Sequence, residues 1–213
     1  KRLFISALEP DLTVKWMSTI LIKRDAAVYL SGADKHGNIY VSGAFTEQLE
    51  SDSRRAISNG KNDIFLARFT SGGNLENLYS FGSSEDDLPG SMSVEKSGKI
   101  ALSGTFGKSF EKGRIKLTSG PEGTTTISFI MEFDQNFNIQ WINVLHSDDY
   151  CNVSSVKFDK SGNIYSAGSF SSKLSLADTV FVSNGQTDCF IFKFLTGGKM
   201  EWGRRLGSSF YDY

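Results

Sequence analysis

"DKSGNIYSAGSF" spans residues 159–170, and nearly the same string, "DKHGNIYVSGAF", spans residues 34–45. A looser version, "EKSGKIALSGTF", occupies residues 95–106. The acidic residues that open the three strings, Asp34, Glu95 and Asp159, lie 61 and 64 residues apart. A second phrase keeps that spacing: "RLFISAL" ends at Leu8, "DIFLARF" at Phe69, "ISFIMEF" at Phe133 and "DCFIFKF" at Phe194. Two unrelated phrases on one period identify a structural repeat.

Two more phrases fall into the same frame. Trp16, Trp141 and Trp202 each follow the closing apolar residue of the second phrase at a fixed distance, and Asn77 takes that place in the remaining copy. "AISNG", "KLTSG" and "FVSNG" end at Gly60, Gly120 and Gly185, just ahead of the Phe-rich segment. The Asp-x-x-Gly strings are turn sequences. Asp accepts hydrogen bonds from the turn backbone, and Gly supplies the left-handed residue that follows. Each turn therefore joins two antiparallel strands. The segments around Phe65, Phe129 and Phe190 have strand length and carry apolar groups on both faces. A strand of that kind must be covered twice. No window shows a convincing helical period with caps.

Each unit thus contains a turn-Asp strand, a "GNIY" strand, a Phe strand and a Trp strand. Such sheets become soluble when stacked face to face, and radial stacking of four-stranded antiparallel blades is a β-propeller. A β-sandwich is the competing all-β arrangement, but it does not require repeated four-strand units. Counted this way, the chain has fourteen strands: a half blade at 3–20 and whole blades at about 28–81, 90–146 and 153–207. Three and a half blades form an arc with open ends. The arc predicts that residues 1–213 are a window on a longer polypeptide, or that a second copy supplies the remaining blades.

In these phrases the chain resembles the bacterial SBBP-type β-propeller repeat family. The resemblance rests on Asp34, Gly37, Asn38, Tyr40, Gly43, Asp63, Phe65 and Gly73, and on Asp159, Gly162, Asn163, Tyr165, Gly168, Asp188, Phe190, Gly198 and Trp202. The middle unit departs, with Glu95, Lys99 and Ala101 in the Asp, Asn and Tyr places. The resemblance implies a secreted or cell-surface bacterial protein, outer-membrane-associated in some settings, with a binding or scaffolding role.

Composition narrows the function classes. The 213 residues are 39% hydrophobic and 22% charged, which favours a folded chain over disorder. The 17 Phe and 21 Gly against 3 Pro favour short strands and turns. A net charge of −1 offers no basic stripe for nucleic acid. No apolar run is long enough for a transmembrane segment, and the first residues carry no signal-peptide pattern. Cys151 and Cys189 lack the spacing of a disulfide framework or a zinc site and read as small buried residues, oxidation of the pair remaining open.

The chain contains no metalloprotease His spacing, no Gly-x-Ser-x-Gly elbow and no phosphate-binding Gly loop. His36 sits in a turn and reads as an exposed polar residue. Asn152-Val153-Ser154 is a glycosylation sequon, meaningful only in a eukaryotic secretory setting. One constellation stands out. The loops that lead into the first strands carry Asp25, Glu85, Asp86, Asp87, Asp148, Asp149 and Asp212, with Tyr150 and Tyr211 beside them. In a propeller these loops share one mouth of the central channel. Converging carboxylates there hold Ca²⁺ or meet a basic partner; dispersed ones cap loop backbone and keep the surface soluble. The leading reading is a non-enzymatic module that presents loops to a protein or surface glycan. The alternative is a polysaccharide hydrolase or lyase using the carboxylates of the channel mouth.

Overall fold

Self-contained turns fix where the strands begin and end. In the computed structural model, which describes residues 1–51, 54–112, 115–117 and 127–212, each Asp-x-x-Gly string closes a tight turn. Asp34 accepts hydrogen bonds from the backbone of His36 at 2.8 Å and Asn38 at 3.0 Å, and from the Asn38 side-chain amide at 2.8 Å. Asp159 does the same with Ser161 and Asn163, and Asp134 with Asn136 and Asn138. Gly37 and Gly162 take φ of 78° and 80°, the left-handed geometry the turn needs. In the Asp134 turn that place is held by Phe137, at φ 67°. Its ring is buried edge-on to Tyr40 at 6.3 Å and tilted against Tyr79 at 6.4 Å, which offsets the backbone strain.

The strands follow in chain order. The first two are β1 (Arg2–Leu8) and β2 (Val14–Ile22). The next unit holds β3 (Ala26–Ala33), β4 (Ile39–Phe45), β5 (Gln48–Ser51), β6 (Arg54–Ile57), β7 (Asp63–Phe69) and β8 (Leu75–Phe81). Then come β9 (Leu88–Val94), β10 (Ile100–Phe106), β11 (Phe110–Lys112), β12 (Ile115–Leu117), β13 (Ile127–Phe133) and β14 (Ile139–Ser147). The last unit holds β15 (Cys151–Phe158), β16 (Ile164–Phe170), β17 (Lys173–Leu176), β18 (Thr179–Val182), β19 (Asp188–Phe194) and β20 (Met200–Leu206). No helix occurs among the described residues.

All strand pairs within the sheets are antiparallel. The first sheet has the order β1-β2-β5-β6, the second β3-β4-β7-β8, the third β9-β10-β13-β14-β17-β18 and the fourth β15-β16-β19-β20. The four-strand count per unit therefore needs correction. Twenty strands, not fourteen, are present among the described residues, because the segment between the second and third strands of each unit is itself a hairpin. Two of these hairpins join the outer edge of the preceding sheet: Ile22 pairs with Leu49, and Ser147 with Leu174. The hairpin β11-β12 forms a small sheet of its own, yet Phe110 stacks on Phe106 at 4.5 Å and meets Phe81 of the second sheet edge-on at 6.1 Å. The phrase ending at Gly120 lies outside the described residues.

The core consists of three layers between four sheets. Ile20, Ile22 and Leu49 of the first sheet pack against Val41, Phe65 and Phe69 of the second. The opposite face of the second sheet, with Tyr40, Ile64, Leu66 and Phe81, packs on Leu102, Phe129, Met131 and Phe133 of the third. The third in turn presents Ala101, Ile130 and Leu145 to Val156, Phe190, Phe192 and Phe194 of the fourth. Each such fully buried Phe contributes roughly 2–3 kcal/mol by area alone.

Side chains of the fourth strands β2, β8 and β14 reach the next sheet's turn. The Trp16 indole donates to the Ser71 carbonyl at 3.0 Å and lies flat against Gly73, where a Cβ would come within 2.5 Å of the ring. Asn77 donates to the Asn136 carbonyl at 3.2 Å. Trp141 covers Gly198, and Asn143 donates to the Gly198 carbonyl at 2.7 Å. Trp202, the last of the series, packs edge-on to Tyr165 of its own sheet at 6.0 Å.

Phe137→Gly tests the balance between strain and burial. The change relieves about 1 kcal/mol of left-handed strain but removes a buried ring worth about 3–5 kcal/mol, so a net loss of roughly 2–4 kcal/mol is expected in urea unfolding. A neutral or stabilising result would show that the ring contacts do not hold the turn.

Candidate functional site

Antiparallel alternation gives the stack two unlike ends. Tight turns at 9–13, 34–38, 70–74, 95–99, 134–138, 159–163 and 195–199 occupy one. The loops leading into the first strands, at 23–25, 82–87, 148–150 and 207–212, occupy the other, together with the loops that flank the hairpins. This loop end carries all nine residues singled out from the sequence.

Five of the seven carboxylates there have separate local partners. Asp25 pairs with Lys1 at 2.6 Å, both exposed. Glu85 is held between Lys61 at 2.6 Å and Lys108 at 2.9 Å, and hydrogen bonds from these two ammonium groups, with their charge, depress its pKa to about 2. Asp86 accepts from the Asn62 amide at 2.7 Å. Asp87, its neighbour, is fully buried and accepts from the Ser83 backbone at 2.5 Å, the Ser83 hydroxyl at 2.8 Å and the Gly107 backbone at 3.0 Å. Burial pushes the Asp87 pKa up, against the pull of these donors. Asp212 repeats the arrangement with the backbone and hydroxyl of Ser208, at 2.6 and 3.0 Å. Tyr211 forms a parallel bridge with Thr187. The Asp148 backbone joins the hairpin at Lys173. Among the described residues, no group of three or more His, Cys, Asp or Glu side chains is arranged to hold a metal ion.

Asp149 and Tyr150 are placed differently. With Thr105, Ser128, Ser147, Cys151 and Asn152 they line a cavity of about 310 Å³ between the third and fourth sheets. Tyr150 and Asn152 also border an apolar groove of about 500 Å³ on the outer face of the fourth sheet, with Ala167, Cys189, Ile191 and Leu206. Tyr150, 45% exposed, therefore stands between two depressions. Its backbone is pinned, because its carbonyl accepts from the Ser171 backbone at 2.9 Å and the Ser147 hydroxyl at 3.0 Å. Asn152 donates to the Ser154 hydroxyl at 3.0 Å, so the sequon lies on β15.

Thr105, Ser128 and Ser147 were not foreshadowed by the motifs. The one available signal is substitution within a repeat column: Ser128 stands where the other units have Ile64 and Cys189. Cys151 and Cys189 are free thiols, half-buried rather than fully buried. Desolvation of Cys151 pushes its pKa up to about 12, the Ser128 hydroxyl acting in the opposite sense. His36 and His146 are both exposed, one in a turn and one on β14.

A second opening of about 400 Å³, at the tight-turn end, is bordered by Glu95, Lys96, Asp159 and Lys160. Its acids are engaged in their own turns: Asp159 by Asn163 and Ser161, Glu95 by Ser97.

Two measurements check this chemistry. Glu85 has a folded pKa below its ordinary 4.5, so its stabilising effect is complete above that pH and is lost as pH falls towards 2. Glu85→Gln should flatten the drop in Tm over that interval, whereas an unchanged acid limb would assign the loss to other carboxylates. At pH 8.5, alkylation of native protein should label Cys151 more than tenfold more slowly than a thiol of ordinary pKa. Equal rates would contradict the elevated pKa.

Compared with known proteins, the chain matches no protein-family model and no curated sequence.

Proposed function

We propose that the stacked sheets are blades of a β-propeller and that the protein works as a non-enzymatic binding module, with a surface glycan as ligand at the Tyr150 site. The stacking supports the propeller reading. Like sheets bury both faces in succession, and the first strands approach one another: the backbone N–H groups of Val156 and Phe158 on β15 donate to the hydroxyls of Ser91 and Ser93 on β9, at 3.1 and 3.3 Å. In a propeller the first strands line the central axis. The SBBP-like phrases favour a bacterial protein displayed outside the cell, where glycans and other proteins are the available partners.

The observation that carries the glycan reading is the position of Tyr150. A partly exposed aromatic ring rises between a polar cavity and an apolar groove, with the Asp149 carboxylate and the Asn152 amide beside it. Sugars present apolar C–H faces and a ring of hydroxyls. An aromatic platform flanked by acceptors and an amide satisfies both. The cavity volume falls in the range of small-ligand sites.

Screening against a glycan array, followed by calorimetry on the strongest oligosaccharide, tests the proposal. Saturable binding is expected, weakened at least tenfold by Tyr150→Ala and unaffected by His36→Ala at the opposite end. Absence of any bound glycan, or binding indifferent to Tyr150→Ala, would overturn it.

A further inference from the structure

Three of the loops that lead into first strands begin in the same way. A Ser hydroxyl accepts a hydrogen bond from the backbone N–H two residues on: Ser83 from Glu85 at 3.2 Å, Ser147 from Asp149 at 3.3 Å and Ser208 from Phe210 at 3.2 Å. Glu85 and Asp149 therefore hold the same place in successive loops, yet their surroundings differ in charge. Two ammonium groups close on Glu85, from Lys61 at 2.6 Å and Lys108 at 2.9 Å. Lys61 stands two residues ahead of Asp63, the head of its Phe-rich strand, and the residue two ahead of Ile127 is Thr125. Lys108 stands two residues beyond Phe106, and the residue two beyond Phe170 is Ser172. Both lysine columns are thus neutral in the frame of Asp149. Among the described residues, the Asp149 carboxylate has no hydrogen-bond or ion-pair partner. Lys173, whose carbonyl accepts from the Asp148 backbone at 3.1 Å, makes no ion pair with Asp149.

Asp149 is also the one charged side chain among the described residues that line the cavity of about 310 Å³, whose walls come from β10, β13, β14 and β15. Two further acceptors share that lining. The Thr105 hydroxyl has no partner among the described residues, and the Asn152 side chain donates its N–H to Ser154 at 3.0 Å, which leaves its carbonyl oxygen open to a ligand. An ammonium group has three donors and no acceptor, so a carboxylate, an amide oxygen and a hydroxyl match it in number and kind. The exposed face of Tyr150 adds the attraction of an aromatic ring for a cation. We infer that the ligand of this cavity is cationic, an amino sugar with an unacetylated, protonated amine, whose ammonium group meets Asp149 as Lys61 and Lys108 meet Glu85. The inference rests on the glycan reading of the Tyr150 site and assigns the charge class of that glycan. Asp149 is its specificity-determining residue: a charge-assisted hydrogen bond to the carboxylate separates the free amine from the neutral N-acetyl form of the same ring.

The probes are the hexamer of glucosamine and the hexamer of N-acetylglucosamine, each titrated into the full chain by calorimetry at pH 5.5, where the free amine is protonated. The glucosamine hexamer is expected to bind at least about tenfold more tightly. Asp149→Asn, at an exposed and unpaired position, should bring the two affinities within about threefold of each other with an unchanged circular-dichroism melt. Glu50→Gln, at an exposed acid on β5, should leave the preference as it is. Equal or tighter binding of the N-acetylated hexamer, still weakened by Tyr150→Ala, would overturn this inference and leave the glycan site in place. A preference for glucosamine that survives Asp149→Asn, or that Glu50→Gln reduces equally, would assign it to the overall charge of the protein and overturn the inference as well. Binding of neither hexamer would also overturn it, and the glycan reading would then stand or fall by the array.

Discussion

A sheet whose third strand is apolar on both faces is stable only between two other sheets. The segments around Phe65 and Phe129 obey this rule, each contributing to a core layer on one side while its neighbours in the strand contribute to the next; the segment around Phe190 feeds one layer, and Cys189 and Ile191 on its other face border the open groove. The consequence is a linear order. The second sheet completes the first, the third completes the second, and no layer is self-sufficient. Stability in such an array is a sum of interface terms between nearest neighbours, with little direct coupling across the stack.

Devices outside the core keep that stack in register. Hydrophobic faces alone permit sliding, because burial is non-directional. The Trp16 and Asn77 hydrogen bonds to turn carbonyls, and the seating of Trp141 on Gly198, fix the position of each sheet against the next. The exchanged hairpins act along the outer edge. By pairing with the preceding sheet, β5 and β17 tie two units together by main-chain hydrogen bonds and cover an edge that would otherwise recruit another strand. Both devices are local in space and distant in sequence.

That distinction explains what was legible in the chain. The turns were readable because Asp34, Gly37 and Asn38 act on one another within five residues, so sequence and geometry coincide. The two-sided Phe strands were readable because burial leaves a compositional mark. The hairpins left only the "AISNG" and "FVSNG" fragments, since Leu49 and Leu174 are defined by the sheet they join and not by their neighbours in the chain. The acidic loops were visible as residues and opaque as chemistry. Asp86 and Asp87 are adjacent, yet one is bonded to an exposed amide and the other is wholly buried among Ser83 and Gly107 donors. Nothing in the dipeptide distinguishes them. The cavity beside Tyr150 was invisible for a related reason: Thr105, Ser128 and Asn152 come from three strands in two sheets, and no motif joins them.

The same division between ends is why the proposed glycan site is placed at the loops. At the tight-turn end, the turn carboxylates are occupied by their own Asn side chains and backbone donors, and the φ requirements of Gly37, Gly162 and Phe137 leave little room for variation. A ligand there would have to displace bonds that hold strands together. At the loop end, bonds from Ser147 and Ser171 fix the Tyr150 backbone while leaving its ring in solvent. A residue whose backbone is already ordered loses less conformational freedom on binding, which lowers the cost of forming a complex. Sequence change in the loops around it alters what the ring meets without disturbing the buried faces below, so affinity can be retuned while the stack stays fixed.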